Sequence, residues 1–135
     1  YFAQLKRVAD EPRAQIVGHF DLLTKFDEKE HFFDETSPRY WAAALDAMDA
    51  LVSAGKIFEV NTGAISRGWR TTPYPSRWVL EQLKRRNAQV TISSDSHGVG
   101  TVDCAFDRAK ALLEACGFEK IRVFDGKTFA AQKIE

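Results

Sequence analysis

Apolar residues recur along this chain in two alternating rhythms, and their order predicts the fold. Gln15-Ile16-Val17-Gly18-His19-Phe20 is a short apolar run of the kind that forms a buried strand. Ser37-Pro38 then starts a helix, with serine as N-cap and proline at the first helical position. Tyr40, Trp41, Ala44, Leu45, Met48 and Leu51 follow at three- and four-residue spacing, so Trp41, Leu45, Met48 and Leu51 read as a stripe packed against a sheet until Gly55 stops the helix. Residues 56–61, Lys-Ile-Phe-Glu-Val-Asn, make a second strand. A long polar loop, 62–74, precedes a helix that opens at Pro75-Ser76 and carries Trp78, Val79 and Leu83. It ends in Lys84-Arg85-Arg86, cations that complement the helix dipole. Residues 89–94 form a third strand, and Val102 to Ala115 a third helix stopped by Gly117. Ile121 to Phe124, the turn pair Asp125-Gly126 and Thr128-Phe129 predict a fourth strand or a terminal hairpin. At the other end, Phe2, Leu5, Val8 and Ala9 read as the tail of a helix.

Strands alternating with helices predict an α/β fold with a parallel sheet, either open or part of a barrel. In both architectures functional groups collect at the carboxyl ends of the strands. Here those ends carry His19 and Asp21, Glu59 and Asn61, and Asp95 and His97. Side chains alternate on an extended backbone, so Asp95-x-His97 sends a carboxylate and an imidazole the same way. Oxygen and nitrogen donors aimed at one point suit a divalent transition ion, with zinc, manganese and iron about equally served. Each residue also has a plainer reading. Asp-x-His after a strand is often a turn, and a lone His19 is often a hydrogen-bonded core histidine. Glu59 is expected to satisfy backbone groups at the rim, and His31, within a charged run, to lie on the surface.

A chain of 135 residues is one domain by length. Its 19 basic and 19 acidic residues cancel, so no field steers it to nucleic acid or an anionic membrane. No apolar run approaches the roughly 20 residues needed to span a bilayer. Cys104 and Cys116 fall in one predicted helix, about 18 Å apart and too far for a disulfide. With no charged and apolar leader at Tyr1, the expected location is cytoplasmic.

Three blocks, in order, carry a resemblance: Gly18-His19-Phe20-Asp21-Leu22; Phe58-Glu59-Val60-Asn61-Thr62 with its Arg-containing loop and Pro73-Tyr74-Pro75-Ser76; and Ser94-Asp95-Ser96-His97. Together they resemble the PHP (polymerase and histidinol phosphatase) family, and within it the histidinol-phosphatases of histidine biosynthesis. The resemblance covers residues 15–118. It implies the C-terminal half of a distorted seven-stranded (β/α) barrel with two or three metal ions that activate water and hydrolyse a phosphate monoester, histidinol phosphate in the closest case. His19, Asp95 and His97 match metal ligands, and Arg67, or else Arg70, matches an arginine that holds the substrate phosphate. Asp21 and Asn61 are expected to orient the metal ligands from behind, with metal binding itself the alternative for Asp21 and satisfaction of backbone groups at the rim the alternative for Asn61. The family's opening His-x-His strand has no counterpart before His19, so the upstream metal-binding half is expected to be missing. An isolated chain is then expected to be inactive and to self-associate or pair with that half. A phosphoesterase for another ester and a non-catalytic α/β module are the competing expectations.

Overall fold

Three parallel strands form the centre of the molecule, which a computed structural model describes over residues 1–135. They are β1 (Ile16–Val17), β2 (Ile57–Asn61) and β3 (Gln89–Ser93), side by side in the order β1-β2-β3. Ile16 pairs with Ile57, and Phe58 and Val60 pair with Val90 and Ile92. Because side chains alternate, Val17, Phe58, Val60 and Val90 share one face while Ile57, Glu59 and Asn61 share the other. The first face is dry: those four residues join a single buried cluster of 18.

Helices cover that face. The helices α1 (Phe2–Lys6), α2 (Asp27–Glu30) and α3 (Pro38–Ser53) lie before β2. Next come α4 (Gly63–Ser66), α5 (Arg77–Arg85) and, after β3, α6 (Phe106–Ala115). The helix α3 contributes Tyr40, Ala44, Ala47, Met48 and Leu51, α5 contributes Val79, Leu80 and Leu83, and α6 contributes Ala109 and Leu113. Burying a large apolar side chain stabilises by about 1.5–3 kcal/mol, so this contact dominates the fold. The chain ends in an antiparallel hairpin of β4 (Lys120–Phe124) and β5 (Phe129–Lys133), which lies beside β3. No helix is long and apolar enough to cross a membrane.

The α/β class and the parallel sheet are as the sequence predicts, and Ser37 does cap α3 by accepting the N–H of Tyr40 at 3.3 Å. Several boundaries differ. The expected strand over 15–20 contracts to Ile16–Val17, because the backbone turns at His19 (φ +54°). The supposed loop 62–74 contains α4. The third helix begins at Phe106 rather than Val102, since Ala105 adopts φ +58° and Val99 and Val102 stay exposed. Cys104 therefore lies outside that helix, and both thiols are free. Trp41 is 37% exposed and stacks on Trp78 at the surface, with ring centroids 5.5 Å apart. Of the expected stripe Met48 and Leu51 are fully buried and Leu45 partly so, and Ala44 and Ala47 join them in place of Trp41.

Candidate active site

The residues just beyond β1 and β3 meet at one rim of the sheet. His19 sits two positions past β1 in a left-handed conformation that costs a non-glycine residue about 1–2 kcal/mol. Glu59, on β2, compensates: a single carboxylate oxygen, Oε2, accepts the His19 backbone N–H at 2.9 Å and meets the ring Nδ1 at 2.7 Å. The ring edge also packs against Tyr74, 5.7 Å between centroids. This leaves His19 Nε2 facing Asp95, 3.7 Å from Oδ2. Asp95 lies two residues beyond β3, again with positive φ (+46°). Its other oxygen, Oδ1, is 3.6 Å from His97 Nε2. One carboxylate thus stands between two imidazoles. The predicted trio is brought together.

Arg67 closes the arrangement. Just past the end of α4, it donates from Nη2 to Asp95 Oδ2 at 2.8 Å and from Nη1 to the Asp95 carbonyl at 3.0 Å. The short helix is anchored in turn by Asn61, whose Oδ1 accepts the Gly63 N–H at 2.8 Å. Arg70 is placed elsewhere. Its buried guanidinium donates to the Thr24 carbonyl at 2.8 Å and to Thr24 Oγ1 at 2.7 Å, which makes it a strut between loops. Asp21 is fully buried and accepts the Ser76 N–H at 2.7 Å; it holds the start of α5 and forms no hydrogen bond with His19. His31 is exposed.

The electrostatics follow from these contacts. The hydrogen bond to Glu59 raises the His19 pKa against the opposing effect of burial. Burial alone would raise Glu59, yet the bonds from His19 outweigh it and hold the carboxyl below its usual range. At Asp95 the modest cost of burial is likewise overcome, by Arg67 first and then by the two histidines. Asp21 goes the other way: burial lifts it to about 6 despite the Ser76 bonds and the Arg70 charge.

As expected of it, Glu59 satisfies a backbone group at the rim, the His19 N–H; its bond to the ring Nδ1 is additional. Two further contributors, Gly63 and Lys25, escape a reading of the sequence. Gly63 has no room for a side chain beneath Arg67 and Asp95. Lys25 holds its Nζ 3.8 Å from the Trp69 ring, which also has the Arg67 guanidinium at 5.0 Å and the Phe26 ring at 5.4 Å. Lys25 adds positive charge near His19, and no carboxylate pairs with it.

The donors suit a metal ion in pairs. His19 Nε2 with Asp95 Oδ2, and His97 Nε2 with Asp95 Oδ1, are each near the separation expected of two donors about 2.0–2.2 Å from a shared ion. No set of three or more His, Cys, Asp or Glu side chains gathers around one point. The rim is also open: none of the surface clefts is lined by His19, Asp95 or His97.

By fold and site, then, this is an α/β protein whose parallel strands deliver two imidazoles, a carboxylate and a guanidinium to their carboxyl ends. Over 109 residues the chain is 38% identical to a probable histidinol-phosphatase of Schizosaccharomyces pombe (strain 972 / ATCC 24843). The match takes in 78% of this chain but only 35% of that protein, so the chain spans about a third of the relative's length. It supports a histidinol-phosphatase-like relationship. No family model matches the chain.

Proposed function

We propose that this chain is part of a metal-dependent phosphatase of the PHP type, acting on histidinol phosphate, and that it supplies the C-terminal share of a distorted (β/α) barrel. The observation that carries the reading is the meeting of His19, Asp95 and His97 at one strand-end rim. The relative's name, probable histidinol-phosphatase, supports the phosphatase part of the reading.

In this reading His19 and Asp95 hold one divalent ion, and Asp95 and His97 a second, with the remaining ligands supplied from outside these residues. Such ions, when bound, supply Lewis-acid activation of water and charge neutralisation at the phosphoryl group. Everything else falls to the chain itself. Arg67 offers a bidentate guanidinium for two phosphoryl oxygens, and Lys25, held over Trp69, offers a second cation to the same anion. Arg67 now occupies Asp95 Oδ2, the oxygen that faces His19. A cation held at that oxygen would compete with Arg67, whose guanidinium would then be available to substrate. Residues that complete the barrel, or a second copy of the chain, would cover the open edge of β1.

The test is a phosphatase assay on histidinol phosphate with the longer protein that contains these residues, comparing wild type with Asp95→Asn. Metal-dependent turnover that falls at least a hundredfold in the variant is expected. Undiminished turnover in Asp95→Asn, or none in the metal-supplemented wild type, refutes the reading.

A further inference from the structure

One oxygen of Glu59 is committed to His19: its Oε2 takes both the backbone N–H (2.9 Å) and the ring Nδ1 (2.7 Å) of the same residue. A carboxylate is acceptor-only when ionised, so the proton of the ring contact must come from Nδ1. The rival arrangement has Nδ1 accept from the Asn61 amide, but that contact is 3.4 Å long and uncharged. Charge-assisted hydrogen bonds are shorter and roughly twice as strong as neutral ones, so Glu59 wins. Asn61 also spends its carbonyl oxygen on Gly63, which keeps its amide group in the flank position.

We propose that Glu59 is a positioning residue that locks neutral His19 in the Nδ1–H tautomer, so that the Nε2 lone pair is presented toward Asp95. A free imidazole carries its proton on either nitrogen and rotates about χ1 and χ2. With two bonds to one fixed oxygen on the central strand, His19 has neither freedom. Hydrogen bonding at one ring nitrogen decides which nitrogen remains available as a donor. The use of that lone pair rests on the phosphatase reading; the tautomer itself does not.

The chain holds only three imidazoles, His19, His31 and His97, so long-range proton–nitrogen correlation NMR can resolve each tautomer, with His31→Gln and His97→Gln supplying the assignments. At alkaline pH His19 is expected as Nδ1–H. Glu59→Gln retains it, because the carboxamide oxygen can accept both bonds. Glu59→Met removes the acceptor at similar volume, and the Nδ1–H signature is lost to Nε2–H or to an averaged mixture. His19 as Nε2–H in the wild type, or Nδ1–H surviving in a folded Glu59→Met, overturns the assignment. Should Glu59→Met fail to fold, the wild-type and Glu59→Gln spectra decide the matter by the same criterion. Turnover is not measured, so a failed phosphatase assay and a failed tautomer assignment remain separate results.

Discussion

A single absent methyl group sets the spacing of the site. A Cβ on residue 63 would meet Arg67 Nη2 at 2.7 Å, the Ser94 carbonyl at 2.8 Å and Asp95 Cβ at 2.9 Å. Two of these three atoms are backbone or stiffly attached, so the neighbours cannot simply rotate away. Gly63→Ala is expected to cost about 1–3 kcal/mol and to part Arg67 from Asp95, read as a lower urea midpoint with an unchanged slope. Arg67→Ala acts differently. It removes the cation that competes for Asp95, so divalent-ion affinity of the chain should rise several-fold by calorimetric titration; weaker binding would contradict that competition. Asp21 governs a pH response. A buried acid whose pKa rises from 3.8 to about 6 binds its proton more tightly folded than unfolded, so stability falls as pH climbs through that window. For a rise of this size the loss is about 3 kcal/mol. His19, raised as well, adds stability while protonated and loses it as pH rises past its folded pKa. Asp21→Asn keeps an acceptor for Ser76 but cannot ionise. The stability gap between variant and wild type should widen from pH 4 to 6, followed by urea denaturation.

At the scale of elements, the clearest local signals were the ones with a single physical cause. Ser37-Pro38 supplies both a cap oxygen and a fixed φ, and α3 starts there; Ser37→Ala should cost about 1 kcal/mol, measurable as a shift in the thermal midpoint. Asp125-Gly126 similarly marks the β4–β5 turn, where Asp125 Oδ1 accepts the N–H groups of Lys127 and Thr128. Periodicity failed where tertiary contact decides. Trp41 falls at the edge of the α3 stripe, and Trp78 across the groove draws it into a surface stack. Val102 matches a helical spacing, yet the turn at Ala105 separates it from α6. The helix α4 was hidden in a polar loop because its cause is the Asn61–Gly63 bond, which needs β2 in place first. The same holds for the site. His19, Asp95 and His97 were legible because strand ends share one rim. The backbone contact of Glu59 was legible too, but its bond to the His19 ring and the place of Lys25 were not, because they depend on which residues lie across from them.

Taken whole, the molecule presents a polar rim that is built but open. The strand β1 is only two residues long and has a neighbour on one side alone, and an unpaired edge of this kind is commonly covered by another segment. A catalytic ion generally takes three protein ligands, and no three gather here. The isolated chain is therefore expected to bind divalent ions weakly and to turn over histidinol phosphate negligibly, which a dialysed, metal-supplemented assay can check. The account depends above all on His19 and His97 holding ions at adjacent positions on either side of Asp95. Adding substoichiometric Mn²⁺ to the chain and following the three imidazoles by NMR tests this most directly, because paramagnetic broadening reports distance to the ion. His19 and His97 should broaden together, His31 should stay sharp, and Asp95→Asn should abolish the effect. Broadening of His31 alone, or of all three rings equally with Asp95→Asn making no difference, would contradict it.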